Sequence, residues 1–258
     1  MSTTNSLYDH FKPVVLKHPH GILKPVGWLR NAWGVMAAAP AMSAALGISF
    51  TLLCLSAFAA ADALPLFTAT FFTLLLVVSP FLAAAAYAAA MQVASGDRPT
   101  FASCARSVAE RSLSIGLFAT LCALITAAWV RLTGLAFVIY YGTLGPSRAE
   151  LVRVWFSDDV PLEMMLFLGA ATLVLAAVLF TVAAIALPKI VDQNSDVVRA
   201  ARTGLRVLKE NPVTIAAWSV VLLVMIGLTM VSQLLLMPLV FPLLAYATWF
   251  SYAELTNR

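Results

Sequence analysis

The chain has 258 residues, 62% of them hydrophobic and only 11% charged, with a mean hydropathy of +0.92. A soluble domain carries roughly 25% charged residues, so this composition excludes a water-soluble globule. The formal net charge is +4 and the pI is near 9.1, which calls for an account of where the basic residues sit.

Residues 1–24 read as a polar tail holding His10, His18 and His20, with no apolar core of the length a secretory signal needs. An apolar stripe follows at Val26, Leu29, Trp33 and Met36, just before Pro40. Its spacing predicts an amphipathic helix. Spans are predicted at about 40–61 and 65–92, turned by Asp62-Ala63-Leu64-Pro65. Residues 100–111 read as a second, degenerate amphipathic helix, with Phe101, Val108, Arg106 and Arg111. A third span over 113–141 either runs to its end or stops near Trp129, leaving 132–145 as an interfacial segment. A fourth runs over 163–188. The third amphipathic stripe is Val198, Ala201, Leu205 and Leu208, before Pro212. The last two spans, 212–232 and 235–253, share the turn candidate Ser232-Gln233.

No Asp, Glu, Lys or Arg occurs at 31–61, 63–96, 112–130, 164–188 or 211–253. A spanning helix needs about 20 apolar residues, and hydrocarbon requires the backbone to satisfy itself. The runs are too long and too apolar on all sides for barrel strands. The fold class is therefore all-α and integral to a membrane. It has six transmembrane helices in three hairpins, each preceded by a cytoplasmic amphipathic helix lying in the interface. Thirteen basic residues fall on the side of the tail, the 93–111 and 189–211 loops and the C-terminus, against Arg131, Arg148 and Arg153 on the other. By the positive-inside rule both termini are cytoplasmic, in a bacterial inner membrane. The basic residues then meet anionic lipid headgroups, not nucleic acid.

The chain also reads as a repeat, 25–95, 96–190 and 195–258, behind the 1–24 tail. Pro40 and Pro212 lie 172 residues apart, as do Arg30 and Arg202. Pro80 precedes Tyr87 by seven residues and Pro242 precedes Trp249 by seven. Both aromatics are expected below a helix kink, at cytoplasmic headgroup depth. Such repeats build transporters and inert scaffolds alike.

Ionisable residues within a membrane are costly and usually functional; here no Asp, Glu or Lys sits mid-span. That argues against a carboxylate relay, against intramembrane hydrolysis and against histidine-ligated haem. No catalytic residue, cofactor or metal site is predicted, and the chain is not read as an enzyme. His18-Pro19-His20 fits a solvated tail better than a metal site. Cys54, Cys104 and Cys122 read as small apolar fillers. Lys189 and Asp192, three apart, suit a local pair. The candidate contacts for lipid or a partner are Arg199, Arg202, Arg206 and Lys209, with Arg30 and Trp33 on the first amphipathic helix. Arg131 either snorkels to outer headgroups beside Trp129 or pairs with Asp158, Asp159 or Glu163 in an outward vestibule. The alanine-rich runs at 83–90 and 170–184 suit close helix packing within the bundle, or reception of a partner helix.

The stretch ALPKIVDQNSDVVRAARTGLRVLKENP, then PLLAYATWFSY, with WLRNAW, the Pro40 junction and WVRL, resembles a proteobacterial family of six-span inner-membrane proteins known only as a domain of unknown function. Some of its members carry a cytochrome c oxidase subunit I label. The lack of membrane histidines here argues against that chemistry and leaves an accessory role beside a respiratory complex. The family commonly has histidines in its last span, where this chain has Tyr246 and Phe250. The hairpin units also resemble the membrane portion of some glycerophosphodiester phosphodiesterases. Two functions follow as expectations: a non-catalytic accessory, assembly or scaffold component of a larger inner-membrane complex, or a facilitator for a lipid or small amphipathic molecule.

Overall fold

The computed structural model describes residues 21–141 and 162–256. The histidine tail to residue 20, Arg148, Arg153, Asp158 and Asp159 lie outside the described residues. Among the described residues every regular element is helical. The helices are α1 (Lys24–Ala38), α2 (Pro40–Ala63), α3 (Thr68–Ala94), α4 (Phe101–Glu110), α5 (Ser112–Tyr141), α6 (Leu162–Gln193), α7 (Val197–Glu210), α8 (Pro212–Val231) and α9 (Met237–Leu255). Short 3-10 turns precede α1 and α3. Among the described residues four helical stretches are long and apolar enough to cross a membrane: Pro40–Ala63, Thr70–Ala94, Ser112–Leu135 and Pro212–Val231. Helix α5 continues unbroken through the doubtful 132–141 stretch.

Local chemistry explains the boundaries. Pro40 and Pro212 start α2 and α8, where their missing N–H groups cost nothing. Thr100 caps α4 in a reciprocal box with Ser103, each side chain accepting the other's backbone N–H at 3.1 Å. Asp196 caps α7 by accepting the Val198 N–H at 3.1 Å. Helix α3 ends in a Schellman turn: Gly96 sits at φ +85°, its N–H donates to Val93 and that of Asp97 to Gln92. Helix α8 ends the same way without a glycine. Gln233 (φ 50°) donates to Met230, and Leu234 (φ 68°) to Thr229 at 2.7 Å. The predicted Ser232-Gln233 turn is there, and Leu234 buries its side chain against Cys54 and Met237.

Helix α9 is the centre of the packing. It contacts α1, α2, α3, α6 and α8, and Tyr246, Ala247 and Tyr252 have no exposed surface at all. The main core gathers where α1, α4 and α7 meet the spans. It takes Trp28 and Val35 from α1, Ala84–Val93 from α3, Ile115 and Phe118 from α5, Ile185–Val191 from α6 and Trp218 from α8. The alanines of α3 are consumed here, within the chain. A smaller cluster towards the opposite end holds Cys54, Leu234 and Met237 beneath Phe50 and Phe241, whose rings stack at 4.0 Å.

Burial follows the offsets read from the sequence. Trp28, Ala32 and Val35 are buried, and so are Ala200, Gly204 and Val207, each 172 residues later; Ser43 and Leu46 match Ile215 and Trp218 in the same way. Tyr87, Ala89 and Ala90 match Trp249, Ser251 and Tyr252 at the Pro80-to-Pro242 offset. Tyr87 and Trp249 are buried in the core. The sequence stripes divide: Val26, Trp33, Val198 and Leu205 point outward, while Leu29, Met36 and Leu208 pack against the core. The inner faces of α1 and α7 are built from small residues as much as large ones.

A close backbone contact joins α2 to α9. Pro242 has no N–H, so the Pro238 carbonyl four residues earlier loses its helical donor. Gly47 of α2 lies directly over that carbonyl: a Cβ there would overlap the oxygen and stand 2.6 Å from the carbonyl carbon. The Gly47 Cα–H is thus a weak donor to an oxygen that has lost its strong one. Gly47→Ala is expected to destabilise the protein by about 1–3 kcal/mol through overpacking. Gly227→Ala, where no atom lies within 4 Å, should be neutral or stabilising. Thermal unfolding in detergent, followed by tryptophan fluorescence, checks the contrast.

Candidate functional site

The polar side chains of the spans' ends converge on the C-terminal half of α9. The Tyr252 hydroxyl donates to Asp192 Oδ2 of α6 at 2.9 Å. Tyr246 and Ser43 of α2 share a hydrogen bond at 3.0 Å, and the Ser43 hydroxyl lies 2.9 Å from the Ala39 carbonyl. Glu254 binds α1 twice: it accepts the Trp28 indole N–H at 2.7 Å and pairs with Lys24 at 3.2 Å. Trp28 in turn meets Trp218 of α8 edge to face, with centroids 5.5 Å apart. Three helices, α1, α2 and α6, are therefore tied to α9 by neutral or charge-assisted hydrogen bonds, and α8 joins through the Trp28–Trp218 ring contact. Among the described residues the buried indole N–H groups of Trp218 and Trp249 have no partner.

None of these ties was read from the sequence except the bare proximity of Lys189 and Asp192. Lys189 donates to Thr203 of α7 at 2.8 Å. Its ammonium is held below the ordinary lysine range, first by burial and then by Arg206 and Arg199. Towards α4, Ser103 donates to Gln92 at 2.8 Å, and burial pushes the Cys104 thiol up, which keeps it a protonated packing group. Among the described residues no group of His, Cys, Asp and Glu is placed to hold a metal.

The predicted contact residues are all at the surface. Arg199, Arg202, Arg206, Lys209 and Arg30 are exposed, and Trp33 is 57% exposed. At about 100° per residue, α7 has three faces. Ala200, Thr203, Gly204 and Val207 are buried. Val198 and Leu205 are exposed on an apolar strip that runs through half-buried Ala201 to Leu208 at the edge of the core, and the four cations lie on the remaining arc. Helix α1 repeats the plan with Trp28 inward, Trp33 outward and Arg30 on the third face. In α4, Arg106 likewise stands two residues after the buried Cys104. Arg131 is exposed near the end of the apolar part of α5. Its proposed partners Asp158, Asp159 and the Glu163 side chain lie outside the described residues.

A groove of about 280 Å³ lies beside the Gly47–Pro238 contact, lined by Met36, Pro40, Ser43, Ala44, Ile48, Pro238 and Leu239. Ser43 is its one hydroxyl, already engaged by Tyr246.

Residues 66–192, just under half of the chain, match the family model described as "Predicted integral membrane protein (DUF2189)". This chain is an integral, multi-pass membrane protein. The match runs from the start of the second apolar run to the end of α6 and supports a membrane family of unknown function. No curated protein and no solved structure matches the chain.

The ties give a graded expectation. Tyr252→Phe removes a hydrogen bond to a partly buried carboxylate and should cost about 1–3 kcal/mol. Glu254→Gln keeps an acceptor for Trp28 and loses only the half-exposed Lys24 pair, so it should cost about 1 kcal/mol or less. Unfolding midpoints of the two variants in one detergent test the order.

Proposed function

We propose that the protein is a non-catalytic scaffold: an accessory or assembly component of a larger bacterial inner-membrane complex, a respiratory one included. The observation that carries this reading is the position of α9. It fills the middle of the bundle with large aromatic and small side chains packed to full burial. A route for cargo along the bundle axis would need that helix out of the way. Meanwhile α5 and α8 turn long apolar faces outward, including Leu117, Leu121 and Leu124, and Val220, Leu223 and Val224. In lipid these faces are satisfied by acyl chains or by another protein's helices, and close packing drives the second choice.

In this reading the chain has six spans with both termini cytoplasmic. Helix α6, at 32 residues, and α9, at 19, are long enough to join the four apolar helices. Helix α9 is surrounded largely by protein, with Tyr246, Ala247 and Tyr252 fully buried. The internal three-unit repeat is supported by the matching burial at the 172-residue offset. The cationic helices then rest on the cytoplasmic leaflet. A second reading, a facilitator for a lipid or small amphipath, is favoured by the groove beside Gly47 and Pro238. Passage would then run along the bundle's side.

Photo-crosslinking from Val220, Leu223 and Leu121 in native membranes, with mass spectrometry of the products, tests the scaffold. The expected result is one stoichiometric protein adduct shared by adjacent positions on one face. Adducts to lipid alone at all three, with tracer lipid moving across vesicles reconstituted with the protein, would replace the scaffold by the facilitator.

A further inference from the structure

We propose that Lys189, Arg199 and Arg206, brought together where α6 meets α7, form a built site for the phosphate of an anionic phospholipid headgroup. The three cations come from two helices. Lys189 is half-buried and fixed by its 2.8 Å hydrogen bond to Thr203 Oγ1. Thr203 is itself held, its hydroxyl donating to the Arg199 carbonyl at 3.0 Å. Arg199 and Arg206 are seven residues apart on α7, so they share a face two turns long, on the Thr203 side of the cationic arc. Both lie close enough to Lys189 to disfavour its charged form, in addition to the effect of burial. Like charges gathered in this way are a liability that a bound anion removes.

Two carboxylates border the cluster. Glu210 reaches Arg206 only at 3.9 Å, with both side chains largely in solvent. Asp192, one turn beyond Lys189, accepts the Tyr252 hydroxyl and is tied to α9. The ligand's chemistry follows from the rest of α7. Its outward strip carries Val198, 56% exposed, and Leu205, 42% exposed, with Arg202 and Lys209 at the boundary of the cationic arc. A helix with one apolar and one cationic outer face lies at the depth where acyl chains give way to phosphates. The local concentration of lipid phosphate there far exceeds that of any dissolved anion.

The inference rests on the reading that α7 lies on the lipid surface, and the experiment separates the two. The intact protein is reconstituted in nanodiscs of phosphatidylcholine with a minor fraction of phosphatidylglycerol, then released to native mass spectrometry to count retained lipids. Wild type is expected to keep phosphatidylglycerol in preference to phosphatidylcholine. Lys189→Gln with Arg206→Gln should lower that retention at least tenfold. Arg30→Gln with Arg106→Gln, two exposed arginines on the other amphipathic helices, should not. Equal loss in both double variants would overturn the built site and leave diffuse attraction along the lipid surface. No preference in wild type would overturn the site and the lipid-surface reading together. Displacement of phosphatidylglycerol by millimolar inorganic phosphate would overturn the lipid as the source. Unfolding midpoints of the variants within a few degrees of wild type exclude misfolding as the cause of lost retention; if the double variant unfolds early, Arg199→Gln alone takes its place in the same comparison.

Discussion

Helix α9 stands inside this bundle because its broken backbone pairing and the hydroxyl and carboxylate groups of Tyr246, Tyr252 and Glu254 are answered by neighbouring helices. Pro242 frees the Pro238 carbonyl, and the bare Cα of Gly47 covers it. Further along, Tyr246, Tyr252 and Glu254 find Ser43, Asp192, Trp28 and Lys24. In a low-dielectric interior an unanswered group of this kind costs more than the bond returns in net stability. The partners must therefore be in place before α9 is stable there. That couples the first amphipathic helix, the first span and the end of α6 to the final segment of the chain.

The long apolar helices were legible because charge exclusion from hydrocarbon is a coarse and strong signal. Gaps such as 63–96 and 211–253 contain no charged residue, and helices α3, α8 and α9 fall within them apart from the last two residues of α9. The turn at Ser232-Gln233 was legible for the same reason: an apolar run too long for one crossing must break at its polar residues. What the sequence hid was orientation about the helix axis. In α1 and α7 the outer strip carries Val26, Trp33, Val198 and Leu205, and the inner face sets Ala32, Ala200, Gly204 and Thr203 beside Trp28, Val35 and Val207. Hydrophobic size measures affinity for oil, while small residues measure how closely backbones approach, and the inner face uses both.

The polar ties were illegible for another reason. Trp28 and Glu254 are separated by 226 residues, and Ser43 and Tyr246 by 203. No periodicity connects such positions; only the return of α9 to the start of the chain does. Tyr246 read only as standing where the resembled family has a histidine, and Tyr252 carried no reading. Their hydroxyls join helix to helix inside the core. The cationic residues of α7 were legible as a patch, but Lys189 joins them only through the fold, across the break at Asn194 and Ser195.

The division of the interior into two clusters has a practical consequence through sulfur. Cys104 is sealed within the large cluster and Cys54 within the small one, near opposite ends of the bundle. A thiol reacts with a labelling reagent only when its surroundings open. The native protein therefore carries two clocks for local breathing, one for each end, with no engineered probe. Unequal ticking would reveal which end yields first.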